Sequence, residues 1–257
     1  MNIFAIIGRV VLAAFEAIGE LSIFTVRALS HVLRPPFFFR QTMVQMFRIG
    51  YLSLPVIALT AFFTGGVLAL QIYYGGSEFN SEGIVATIVA LGITRELGPV
   101  LAGLMVAGRT SAAIAAELGT MRVTEQIDAL STLSTNPYKY LVVPRIMAAI
   151  ITLPILVVLA DVIGILGGYT VAAYSLGFNP SAYVINTWNF LETPDITSGM
   201  VKAAVFGLII ALMGCFQGFR SAGGAQGVGR ATTNAVVTAS ILILAANYVM
   251  TSLLFSS

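Results

Sequence analysis

The sequence predicts an all-α membrane protein: five transmembrane helices preceded by an amphipathic interfacial helix, N-terminus inside and C-terminus outside. Three observations carry this. Of 257 residues, 58% are hydrophobic and 9% charged, against roughly 25% charged in soluble domains, too few polar groups to cover a water-facing surface. Five segments, residues 49–73, 83–107, 146–174, 200–219 and 236–255, reach the ~20 apolar residues that a bilayer crossing needs. Threading them with the N-terminus inside puts Arg9, Arg27, Arg34, Arg40, Arg48, Arg109, Arg122, Lys139, Arg145, Arg220 and Arg230 on the cytoplasmic side, 11 of 13 Lys and Arg, as the positive-inside rule requires.

Composition also excludes. A net charge of +2 without a Lys/Arg cluster argues against a nucleic-acid partner. One histidine, His31, and one cysteine, Cys215 in an apolar run, leave no His/Cys metal site and no internal disulfide. No nucleophile triad and no carboxylate pair with a supporting histidine is present, so the chain is not read as an enzyme. No cleavable leader is read either, because Arg9 follows the apolar residues 3–7 instead of preceding them.

Residues 1–40 form the first unit, an interfacial helix and connector. At 100° per residue, Arg9, Glu16, Glu20, Arg27 and Arg34 fall on one narrow stripe, with Asn2 and His31 flanking an otherwise apolar surface. Such a helix lies half-sunk in the interface; the alternative is a sixth span with its stripe packed inward. Pro35-Pro36 ends it.

Residues 41–257 hold the five spans. In the first, Gly65-Gly66 permits close approach to a neighbouring helix or a second subunit. Leu70, Gln71 and Tyr74 share one face, either an apolar wall with two polar tips or, with Tyr73, an interfacial aromatic belt. In the second, Arg95-Glu96 begins at the 13th residue and sits near mid-membrane if the helix is regular. Adjacent residues diverge by about 100°, so these two need partners elsewhere; Asp161 and Lys202 are the other ionisable candidates in the spans. The set reads as a packing network, as the polar wall of a substrate cavity, or as both. Gly98-Pro99 loosens this helix where the charges lie.

The 108–145 segment is the cytoplasmic coupling region. Gly119 reads as a helix stop, followed by a short helix with Val123, Ile127 and Leu130 on one face and Met121, Glu125 and Asp128 on the other. It docks on a protein partner or lies on the bilayer. The 177–199 segment also holds short helices. Residues 224–232 run G-x-x-x-x-G-R-A-T, superficially a phosphate loop, but Arg replaces Lys, the hydroxyl comes one residue late, and a membrane span precedes it instead of a strand. It reads as a flexible loop, which leaves the chain no ATP site and no cofactor of its own. ATP-driven work would need a separate subunit holding ATP and Mg.

Together these segments resemble the MlaE family, the permease subunits of ABC transporters that move lipids between envelope membranes. The match rests on Arg95-Glu96-Leu97-Gly98-Pro99-Val100, Ala107-Gly108-Arg109 with Ser111, Ala116 through Arg122, Thr124 through Leu130, Asn136-Pro137, Pro144-Arg145, Gly164 through Gly168, and Gly227 through Thr233. The resemblance implies half of a homodimer in a bacterial inner membrane, enclosing a cavity for phospholipid. Arg95 and Glu96 would flank that cavity, with Leu70, Gln71 and Tyr74 as its wall. Glu117, Arg122, Val123, Glu125, Ile127, Asp128 and Leu130 would form the coupling element on the ATPase subunit. A periplasmic lipid-binding subunit of the mammalian-cell-entry (Mce) type and a small cytoplasmic accessory subunit are the further partners implied. The competing reading is an ion- or proton-coupled carrier with Arg95, Glu96 and Asp161 as a relay; a non-transporting scaffold would leave these charges unexplained.

Overall fold

The computed structural model describes residues 3–32, 34–75 and 82–255, and no strand occurs among them. The stripe residue Asn2 and the loop acid Glu78 lie outside the described residues. Helix α1 covers Ile3–Val32, α2 Phe39–Gly50 and α3 Leu54–Gly75. Helices α4 (Glu82–Gly92), α5 (Gly98–Val106) and α6 (Ala112–Val123) join through π-turns at Ile93–Leu97 and Ala107–Ser111. Helix α7 (Gln126–Thr132) and a third π-turn, Tyr138–Val142, lead into α8 (Val143–Tyr174). Helices α9 (Pro180–Phe190), α10 (Thr193–Phe219) and α11 (Gly224–Phe255) complete the chain.

Five helical stretches are long and apolar enough to cross a membrane: Phe39–Gly75, Gly83–Val123, Tyr138–Tyr174, Thr193–Phe219 and Gly224–Leu254. They outrun the apolar windows of the sequence because helices continue past the hydrocarbon as long as backbone bonds and packing support them. Two expectations are corrected by this. Gly119 is not a stop but an interior residue of α6, where a Cβ would come within 3.2 Å of Ser221; the glycine serves close approach. The 224–232 segment is not a flexible loop but the first turns of α11. Gly223 and Gly224 make the bend with φ of 86° and 69°, and Gly227 packs on the Ala222 carbonyl.

Helix α8 is the hub, packed against α3, α2 and α10. Its contact with α3 is made by glycine. A Cβ on Gly65 would stand 1.8 Å from the Gly164 oxygen, and one on Gly167 would stand 2.0 Å from the Phe62 oxygen. The expected Gly65-Gly66 approach is therefore to a neighbouring helix of the same chain, as small residues permit in membranes. On the other side, Leu153 and Val157 meet Phe206 and Ile210 in the core. Helix α10 is the most enclosed span and α11 the least.

Helix α1 joins the bundle through Phe24 and Ala28, both buried. The Phe24 ring packs tilted or edge-on against Tyr138, Phe216 and Phe219 with centroids 5.4–5.8 Å apart, and Glu20 pairs with Arg220 at 2.7 Å. Its other faces leave Leu12, Phe15, Ile18 and Val26 exposed. The helix ends at Val32, ahead of Pro35-Pro36. At the opposite end of the bundle, Asn179 caps α9, its Oδ1 accepting from Ser181 N at 3.0 Å. There Tyr183 is buried against Gly168 and Tyr169, and burial pushes its phenol up to about 12.

Candidate functional site

The second span is the least apolar of the five, and its π-turn at Ile93–Leu97 carries Arg95 and Glu96. The cause lies four residues on. Pro99 has no N–H to give to the Arg95 carbonyl, and a regular helix would leave that oxygen orphaned. Lys202 of α10 takes it, Nζ donating to Arg95 O at 2.8 Å. The same ammonium donates to Glu96 Oε1 and to Thr251 Oγ1, each at 2.8 Å. Lys202 is fully buried, and its three protons meet three acceptors.

Glu96 is held from three sides, by Lys202, by Thr251 Oγ1 at 2.8 Å and by Asn247 Nδ2 at 2.9 Å. Arg95 Nε donates to Asp195 Oδ1 at 2.6 Å. The other oxygen of Asp195 accepts the Glu192 N–H at 3.1 Å as part of a capping box on α10, so one acid both starts α10 and binds the arginine. The result is two charge pairs joined through the Arg95 backbone oxygen. Lys202 and Asp195 are buried, whereas the Arg95 and Glu96 side chains remain 38% and 36% exposed.

The expected network of Arg95, Glu96, Asp161 and Lys202 is thus met in part. Asp161 stands apart on α8, buried against Gly98, with no hydrogen-bond partner for its Oδ1 among the described residues. The depth also differs from expectation. The span runs to Val123, so its midpoint is Gly103 and Arg95 lies about 12 Å from it, off-centre toward the α9 end. The sequence reading missed Asp195, Asn247 and Thr251 as partners of Arg95 and Glu96. Asn247 and Thr251 share a face of the last span at i and i+4, a polar pair in an apolar run that was a readable signal. Leu70 is half-buried, while Gln71 and Tyr74 are exposed on α3; the single chain leaves that wall open to its surroundings.

At the other end, the coupling residues do not form one continuous helix. Thr124 and Glu125 break it, Glu125 at φ 59°, so Val123 ends α6 while Ile127 and Leu130 ride on α7. Ile127 is buried in the protein's own core and Leu130 packs on it. Exposed are Glu125 and Asp128, with Arg122 pairing to Asp128 at 2.6 Å. Glu117 sits a turn and a half earlier, tied to Arg145 at 2.8 Å and Arg48 at 3.5 Å. Arg109 caps the end of α2, donating to Arg48 O at 2.5 Å and Ile49 O at 3.2 Å.

Comparison with known proteins assigns the lineage. The family model of the MlaE permeases matches residues 42–253. The chain belongs to the MlaE permease family. It is 56% identical over 255 residues, 99% of this chain and 98% of the relative, to a probable ABC transporter permease protein of Rickettsia bellii. A probable ABC transporter permease protein of Synechocystis is 40% identical, with 88% of this chain and 86% of that protein covered. The intermembrane phospholipid transport system permease protein MlaE of Haemophilus influenzae is 31% identical over 100% of this chain and 99% of its own length. As a member of the MlaE family the chain is a multi-pass membrane permease of the ABC transporter class, a transport component with no catalytic assignment.

Proposed function

We propose that this chain is the membrane-spanning subunit of an ATP-binding-cassette transporter that moves phospholipids between a bacterial inner membrane and periplasmic carrier proteins, maintaining outer-membrane lipid asymmetry. The observation that carries the reading is Arg95. It is oriented by a buried acid yet more than a third exposed, in a span where charge is costly. A guanidinium so held can receive a lipid phosphate bidentately, beside an apolar surface from Leu70, Gln71 and Tyr74. A second copy of the chain would close that wall.

The arginine-rich end is cytoplasmic in this reading, with α1 lying in the adjacent leaflet, stripe toward water. There the α6–α7 elbow docks on an ATPase subunit that holds ATP and Mg. Arg122, Glu125 and Asp128 offer the polar edge, Val123, Ile127 and Leu130 anchor it, and Glu117 ties it to α2 and α8. A periplasmic Mce-type subunit stands over the α9 end, and a small accessory subunit joins in the cytoplasm. The ion- or proton-coupled carrier is not favoured: the family is one of ABC permeases, and Asp161 has no bond to the Arg95–Glu96 pairs that a relay would use.

The test is phospholipid per protein after purification with partners, with the melting temperature of each variant. Arg95→Lys is expected to lower lipid occupancy and transport about tenfold, the loss of one bidentate charge-assisted contact, with a small change in melting. Full occupancy and transport with only a lower melting temperature would assign the network to packing and sink the proposal. Glu125→Lys is expected to release the ATPase subunit while the chain stays inserted; unchanged co-purification counts against the coupling assignment.

A further inference from the structure

A second charged region lies at the arginine-rich end, around the ties of Glu117 to Arg48 and Arg145. Between α2, α6 and the start of α8 is a cleft of about 470 Å³. Arg40, Gln41, Gln45 and Arg48 line it from α2, Glu117 from α6 and Arg145 from α8. Three arginines face one glutamate. Glu117 is divided between Arg48 and Arg145, and Arg40 is exposed with no ion pair to an acid among the described residues. Arg145 is 4% exposed, with one nitrogen on Leu141 O, another on Glu117 and its Nε without an acceptor.

An exposed arginine alone is a solvated side chain. A buried one in an excess of positive charge is different, because burial weakens the water that would otherwise screen it. Even with Glu117 the cleft carries an excess of two positive charges, and its donors are the planar forks that suit phosphate oxygens.

The surroundings favour a lipid over a soluble anion. Helix α2 presents Phe39, Met43 and Phe47 to the outside, so the helix that carries Arg40 and Arg48 also carries an apolar face suited to acyl chains. From Arg48 a second cavity of about 170 Å³ continues along α2 and α6, where Ile49, Leu52, Ala113 and Ile114 stand beside the polar Arg109 and Thr110. It runs from the charged end toward α3 and the body of the first span. A basic headgroup cleft that continues into a partly apolar cavity, beside an exposed apolar helix face, suits an anionic lipid.

We propose that this cleft binds the phosphate of an anionic phospholipid from the leaflet at the arginine-rich end, at a site separate from the Arg95 network. The phosphate lies between Arg40 and Arg48 over the fixed guanidinium of Arg145, the amides of Gln41 and Gln45 reach the headgroup, and one acyl chain follows the Ile49–Leu52 wall.

The chain purified in detergent is exposed to phosphatidylglycerol, to phosphatidylcholine or to inorganic phosphate, and bound lipid is counted by native mass spectrometry. Phosphatidylglycerol should bind in preference to phosphatidylcholine. Arg40→Gln should weaken it about fivefold, from the ~1 kcal/mol that each basic residue contributes near an anionic surface. Arg40→Gln with Arg48→Gln should abolish the preference, whereas Arg230→Gln, the same loss of charge elsewhere at this end, should leave it. Both arginines are exposed, and melting curves verify that the variants fold. Equal binding by wild type and the double variant overturns the site. Displacement of the lipid by inorganic phosphate at matched concentration overturns the lipid as its source. If the double variant releases the ATPase subunit while lipid binding stays unchanged, the cleft is a protein-docking surface and the proposal fails.

Discussion

The two charged regions of this molecule are built on opposite rules. Around Arg95 and Glu96 every charge has a counter-charge, and the carbonyl that Pro99 abandons is bonded by Lys202. Around Arg40, Arg48 and Arg145 a single glutamate pairs with two of three arginines. Depth explains the difference. The first region lies in the interior of stretches long and apolar enough to cross a membrane, where an uncompensated charge costs several kcal/mol; the second lies near the ends of such stretches, where Arg40 and Arg48 are exposed. Balance marks the charges that the protein must satisfy itself, and imbalance marks those that its surroundings complete.

That contrast can be broken by substitution, the largest effect first. Lys202→Met removes a buried cation, strands Glu96 and reopens the Arg95 carbonyl, and should cost about 3–5 kcal/mol in thermal unfolding. Adding Glu96→Gln should return at least half of it, because the stranded charge disappears with its partner; no recovery would mean that Lys202 acts by packing alone. Arg145→Gln at the other end should cost less, about 1–3 kcal/mol, since Glu117 keeps Arg48 and solvent. A loss as large as that of Lys202→Met would erase the distinction between the two ends. Asp161→Asn should change stability least, within about 1 kcal/mol, as no bond to Oδ1 is lost. A drop of 3 kcal/mol or more would give that carboxyl a partner in the folded protein.

Much of the arrangement was readable from residue pattern. Five apolar runs became five spans, Pro35-Pro36 ended α1, and Gly65-Gly66 marked a close crossing. Arg95 and Glu96 demanded partners, and Lys202 is one. The failures have physical causes as well. Glycine is ambiguous in sequence: inside a helix it makes room for the Ser221 side chain at 119 and for the Ala222 backbone at 227, which looks the same as a turn. Asp195 carries two duties, and the cap is the one visible locally. Asp161 has the polarity of a network member, but its place on α8 points it at Gly98. The α6–α7 break rests on a left-handed glutamate, which local propensity disfavours.

The bonds of the Arg95–Glu96 cluster also set an order in time. Arg95 waits 100 residues for Asp195, Glu96 106 for Lys202 and 151 for Asn247. At roughly 5–20 residues per second of synthesis, the second span reaches the bilayer about 5–20 s before its first counter-charge exists. During that interval its charges must stay near the surface or be shielded by the insertion machinery. Completion of α10 is then the event that draws the span to its final depth, so a nascent chain stalled before Asp195 should hold its second span more loosely than its first.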